Sequence, residues 1–265
     1  MKASLLLFLF LIIQSSFCQE WELINTVLPN QEIAATSIDS KDMFYIGTST
    51  GNLIRYDSDG KEDEYYSALN NSSVTMIQTW NRLKVFTFFQ QQQSIAILDR
   101  FTTTPKTIDL RDLGLQYAWL FAPGIDNSYW ALSAENKDLI KYDDQNLSIL
   151  FRIILGNEIQ IKNASYMRAH KNLLIIVDIV SGIWIFDQYG NFLGMIPEPG
   201  IRQIQIFEDM IHATNGSEYL QINPFTLDVL ERKKAPREGA FWSVVISGDR
   251  FIFFSKNQAA IYKLH

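Results

Sequence analysis

The stretch Met43-Phe44-Tyr45-Ile46-Gly47-Thr48-Ser49-Thr50-Gly51-Asn52-Leu53-Ile54-Arg55-Tyr56-Asp57-Ser58-Asp59-Gly60 decides how the rest of the chain is read. Phe44 to Thr48 is rich in the aromatic and β-branched residues that suit a pleated, half-buried surface. Ser49-Thr50-Gly51-Asn52 supplies turn formers, Leu53 to Tyr56 a second strand, and Asp59-Gly60 a second tight turn. One hairpin cannot bury its own apolar face, so the stretch requires further strands against it.

Those strands are copies of it. Its second half, Leu53-Ile54-Arg55-Tyr56-Asp57, reappears as Ile95-Ala96-Ile97-Leu98-Asp99, Leu139-Ile140-Lys141-Tyr142-Asp143 and Ile183-Trp184-Ile185-Phe186-Asp187. Tyr219-Leu220-Gln221-Ile222-Asn223 and Ala259-Ala260-Ile261-Tyr262-Lys263 complete the series. The aligned positions 56, 98, 142, 186, 222 and 262 are spaced by 42, 44, 44, 36 and 40 residues. A second landmark keeps step with the first: Asp42, Asn81, Asn127, Asn172, Asp209 and Asp249 each lie 13 to 17 residues ahead of it. A period near 40 with several short strands per unit is the pattern of propeller blades.

One blade reads as four strands, at Glu32 to Asp39, Met43 to Thr48, Asn52 to Tyr56 and Glu64 to Ser67. First strands follow at Val74–Trp80, Tyr117–Ala122, Ser165–Ala169, Arg202–Phe207 and Phe241–Ser247. Continuous apolar runs such as Leu173–Val177 suit strands covered on both faces. The last unit holds only three strands before His265, whereas Trp21 to Leu28 precedes the first unit as a spare strand. The fold class is therefore all-β: a six-bladed β-propeller of four-stranded antiparallel blades, closed by the N-terminal strand pairing into the last blade. A five-bladed ring with an irregular tail, or an open stack, are the alternatives.

The N-terminus reads as a leader. Lys2, the apolar block Leu5 to Ile13, and the small residues Ser16 and Cys18 describe a secretory signal peptide over residues 1–18. The block is short for a membrane span. Cys18 also suits a lipoprotein signal, although Phe17 stands where such signals carry a small residue. Cleavage after Cys18 leaves residues 19–265 as a single domain without cysteine, hence without a disulfide or a thiolate site. Export places the chain in the periplasm, on the outer membrane or outside the cell. The net charge of −6 speaks against nucleic acid, whose phosphates need a basic face. No further stretch approaches a transmembrane helix.

Certain residues resemble known repeats. Phe44 to Thr48 with Gly51, Leu53 and Tyr56-Asp57 is similar to the Trp-Ile-Gly-Thr…Gly-Leu…Tyr-Asp blades of periplasmic sensor propellers. Leu174 to Asp178 with Gly182, Phe186-Asp187 and Gly190 resembles a blade of the NHL type. The whole chain resembles uncharacterised six-bladed propellers of bacterial envelopes, and differs from the sensors in lacking a kinase module. It also lacks the Trp-Asp ends of WD40 repeats and the Gly-Gly of kelch. Such a resemblance implies a fold and leaves activity open.

Chemistry finds little purchase. Asp57-Ser58-Asp59-Gly60 opens like a calcium loop, yet the twelfth position, which needs Glu, is Ala68. His170, His212 and His265 share no ligand spacing. No nucleophile elbow and no glycine-rich phosphate cradle is present. Neither a catalytic residue, a metal ligand nor a cofactor is expected. The alternative is a metal-dependent hydrolase or lyase of the propeller lactonase kind, with Asp178 and Asn215 at the channel mouth.

Binding is the better-supported expectation. Loops from second to third strands and from blade to blade share one face of a propeller. Gln91 and Gln92, Glu135 and Lys137, and the basic run Arg232, Lys233, Lys234 and Arg237 with Trp242 all fall on that face. They are the candidate contacts for a protein segment or glycan, within an envelope assembly. Trp21, Trp119, Trp130 and Trp184 read as blade packing. Glycosylation sequons stand at Asn70, Asn71, Asn146, Asn163 and Asn215, and matter only where the host glycosylates.

Overall fold

The computed structural model describes residues 20–67, 72–81, 83–99, 105–135 and 137–265. The leader read over residues 1–18, the sequons at Asn70 and Asn71, and Ala68 lie outside the described residues. The chain opens with β1 (Trp21–Val27) and then lays down one blade after another. Blade 1 holds β2 (Ile33–Ile38), β3 (Phe44–Thr48), β4 (Leu53–Tyr56) and β5 (Glu62–Tyr66). Blade 2 holds β6 (Met76–Gln78), β7 (Lys84–Phe89), β8 (Ser94–Asp99) and β9 (Lys106–Asp109). Blade 3 holds β10 (Ala118–Pro123), β11 (Ser128–Ser133), β12 (Asp138–Asp143) and β13 (Ile149–Ile154). Blade 4 holds β14 (Ala164–His170), β15 (Leu173–Asp178), β16 (Gly182–Asp187) and β17 (Phe192–Ile196). Blade 5 holds β18 (Ile204–Phe207), β19 (Met210–Thr214), β20 (Glu218–Asn223) and β21 (Asp228–Lys234). β22 (Ser243–Ser247), β23 (Arg250–Phe254) and β24 (Ala259–Leu264) begin blade 6.

Five sheets run in sequence order, and the sixth runs β22-β23-β24-β1, so the first strand of the chain is the outermost of the last blade. Trp21 pairs with Leu264 and Val27 with Ala259. The ring is thus closed by a strand from the far end of the sequence, and the six-bladed expectation holds. The fourth strand of blade 1 begins two residues earlier than its apolar content suggests, because Glu62 pairs with Tyr56 while pointing its charge to solvent.

Both sequence landmarks have a physical cause. At the third-to-fourth-strand turns, Asp57 Oδ1 accepts the backbone N–H groups of Asp59 and Lys61 at 3.0 and 2.9 Å. Asp143, Asp187 and Asn223 do the same for the residues two and three or four further on. Asp57 and Asp59 are turn residues, with Gly60 in the left-handed region at φ 86°. At the first-to-second-strand turns, Asp42, Asn127 and Asp209 adopt φ of 62°, 52° and 65°, which Asn and Asp tolerate better than most residues. In blades 4 and 6 the left-handed residue is the neighbour, Lys171 or Gly248.

The core lies between blades. Trp130 (2% exposed) meets Phe151, and Phe121 lies against Phe86, Tyr129 and Tyr142 from blades 2 and 3. Trp21 packs edge-on against Tyr219, Phe251, Phe253 and Tyr262, and its indole N–H donates to Lys234 O at 2.7 Å. Trp184 is buried likewise and Trp119 packs against the core from a half-buried position. Each such side chain contributes roughly 1.5–3 kcal/mol on leaving water.

Candidate functional site

The innermost strands of the blades line a central channel, and their side chains decide its shape. Two glutamines bridge it. Gln203, at the entry to blade 5, donates through Nε2 to Thr36 O and, at 2.9 Å, to Thr36 Oγ1 on blade 1. Gln78 of blade 2 donates through Nε2 to Met167 O on blade 4. Both bonds join blades that are not neighbours in the ring. Between neighbours, Thr36 Oγ1 lies 3.0 Å from Ser243 Oγ, and Ser37 Oγ lies 2.9 Å from Thr79 Oγ1. The channel therefore has a polar floor partway along.

On one side of that floor the channel opens into a bowl of about 430 Å³. Glu32, Ile33, Thr75, Ser165, Arg202 and Trp242 line it, with Lys256 on the rim. Its volume falls within the roughly 300–1,000 Å³ typical of ligand sites. Trp242 is half-buried, anchored by its backbone N–H to Phe254 O at 2.9 Å, and leaves part of its ring facing the bowl. Lys256 is neutralised by Glu32 at 3.0 Å. Arg202 is exposed and has no carboxylate partner among the described residues. The bowl thus offers an aromatic surface, aliphatic walls and a guanidinium without a carboxylate partner among the described residues.

The residues singled out from sequence lie on the same face. Gln90 to Gln92 form a 3-10 turn ending at Gln93 in the left-handed region. Gln90 and Gln93 are tied down: Gln90 Nε2 donates to Trp119 O at 2.9 Å, while Gln93 both donates to Ala118 O and accepts its N–H. Gln91 and Gln92 remain exposed, as do Glu135 and Lys137. The basic run is distributed differently from a loop. Arg232, Lys233 and Lys234 belong to β21, the outer edge of blade 5. Arg232 forms a two-pronged pair with Glu198 and reaches Glu218 at 3.2 Å. Lys233 lies 3.0 Å from Glu231. Lys234 and Arg237 are exposed without a carboxylate partner among the described residues.

Asp178 and Asn215 serve their own loops. Asp178 is fully buried and accepts the backbone N–H groups of Lys162, Asn163, Val180 and Ser181, bonds that favour its anionic form and hold its carboxyl below the usual range against the opposing effect of burial. Asn215 accepts from Ser217 and Glu218 N–H. Among the described residues no three His, Cys, Asp or Glu side chains gather to hold a metal ion. No described helix is long and apolar enough to cross a membrane.

Sequence reading reached Trp242 but missed Arg202, Gln203 and Thr36. The available signal was polar residues inside first strands whose neighbours are apolar; it marks a channel lining only once the ring is closed.

Together these features define a six-bladed β-propeller with a floored channel and one open bowl. No protein-family model and no curated protein matches the chain. Among solved structures it is similar to the computationally designed Ika8 protein, with 11% identity, a TM-score of 0.53, and coverage of 88% of this chain and 71% of that one. Altogether 1403 solved chains match it in structure, and at so low an identity the likeness establishes architecture alone.

Proposed function

We propose that this propeller is a non-enzymatic binding module, exported to the cell envelope or exterior, that docks an acidic protein segment on the face carrying the bowl. The observation that supports the reading is the bowl itself: an open cavity of about 430 Å³ with Trp242 on its wall and Arg202, which has no carboxylate partner among the described residues, beside it. An aromatic anchor and an arginine are the residue types that most often dominate binding energy. Gln91, Gln92, Glu135, Lys137, Lys234 and Arg237, all exposed, would add polar contacts farther out on the same face.

The test is a pull-down from native envelope or culture medium, analysed by mass spectrometry. A double variant, Trp242→Ala with Arg202→Glu, should lose a co-purifying protein by tenfold or more. Retention of every partner by a folded double variant refutes the bowl. Loss of a glycan in its place makes the ligand a carbohydrate. The mass of the mature N-terminus distinguishes Gln19 from a lipidated Cys18.

A further inference from the structure

The opposite half of the channel, beyond the glutamine floor, contains a charge without a counter-charge. Arg168 projects from β14 into a small space of about 30 Å³, lined also by Ser37, Tyr166, Gln205 and Val245. Its guanidinium lies 5.4 Å from the centre of the Trp80 ring. It hydrogen-bonds the Tyr166 hydroxyl on its own strand, and across the channel it reaches Gln78 Oε1 of blade 2 at 3.5 Å, an oxygen that already accepts the Trp80 indole N–H at 3.0 Å. The Arg168 Nε is wholly buried and has no hydrogen-bond partner. No carboxylate pairs with Arg168 among the described residues; Asp209, at the neighbouring turn, is held by His170 at 3.0 Å and Lys171 at 2.6 Å.

Burial pulls the guanidinium down to about 10, so it is still charged at neutral pH. A buried cation lacking an anionic partner is costly, and proteins seldom keep one without an anion to meet it. The planar fork of arginine matches the two oxygens of a carboxylate. The space admits a group of one or two water-sized units, which fits a carboxylate head and excludes a bulky polyanion.

We propose that this half of the channel is an anion site, in which Arg168 takes a single carboxylate presented from the face of the first-to-second-strand turns. The carboxylate belongs to a free small acid or to the terminus of a peptide. This site is separate from the bowl and does not depend on it.

Thermal unfolding of the whole chain tests it. Acetate, against chloride at equal ionic strength, should raise Tm saturably, by about 3 °C or more near saturation. Arg168→Met should abolish that response while being no less stable than the parent in buffer without carboxylate. N-acetylglycine stabilising well beyond acetate identifies a peptide terminus; an equal response identifies a free acid. An acetate effect no larger than that of chloride, or one retained in Arg168→Met, overturns the site. Should Arg168→Met not fold, crystals of the parent grown in acetate decide, since the site requires a carboxylate within about 3.5 Å of the guanidinium.

Discussion

Two glycines separate a tolerable position from an intolerable one. Gly47, in β3, faces blade 2, and a Cβ there would lie 2.7 Å from Val74 Cγ1 and 2.9 Å from Ile77 Cδ1. Val74 Cβ, at 2.8 Å, moves only with its backbone, but the methyl ends can shift, so Gly47→Ala should cost about 1–3 kcal/mol by overpacking. Gly182 combines φ of +121° with a neighbouring backbone, because its Cβ would run into Ile196 O and Glu198 N. Neither the φ nor the fixed backbone can yield cheaply. Gly182→Ala should therefore lose more stability than Gly47→Ala in urea unfolding, and the reverse order would refute the argument. Both glycines stand in the motifs that resembled known blades, which explains what those motifs encode: close approach between strands, rather than a reactive group.

Among the elements, β1 is anchored mainly through its first residue. Trp21 alone touches four aromatic rings from blades 5 and 6 and donates to Lys234 O. Trp21→Ala should destabilise the fold by about 3–5 kcal/mol, measured by equilibrium denaturation. A loss below 1 kcal/mol would mean that β1 is dispensable for closure. The strands themselves were legible because the information is local: apolar runs such as Leu173 to Val177 end at Asp and Asn residues that bond their own turns. The first strand of blade 2 was less so. Val74 to Trp80 reads as seven residues of strand, while β6 spans only Met76–Gln78, since Val74 and Thr75 bond across the loop to Thr48 O and Phe88 O.

At the scale of the molecule, the site was legible only in part. Thr36 and Gln203 meet across 167 residues, and no spacing rule links them until the ring is closed. Arg202 and Arg168 look like ordinary strand residues in a linear reading; that neither has a carboxylate partner among the described residues emerges only once the blades are brought together. The whole fold also carries a pH dependence. His212 is buried beside Tyr219, and burial pushes its imidazole down to about 4 from an ordinary 6.5. The unfolded chain binds that proton more readily, so the associated stability is present above pH 6.5 and is lost as pH falls toward 4. The loss amounts to about 3 kcal/mol. The buried Asp178, whose carboxyl is held low by backbone N–H groups, acts in the same sense at lower pH. His212→Gln should flatten the stability curve between pH 6.5 and 4, and an unchanged slope would locate the dependence elsewhere.

The pairing of Trp21 with Leu264 has a temporal side. During synthesis β1 emerges first, yet its partner β24 comes only after every other strand. Until then the edge of β1 presents bare N–H and C=O groups, a template for any extended chain. Blades 1 to 5 can each form as they appear, while the sixth waits for the final stretch. The most hazardous moment for this protein is thus the interval before its two ends meet, when a stray strand or a second nascent copy competes for the same edge.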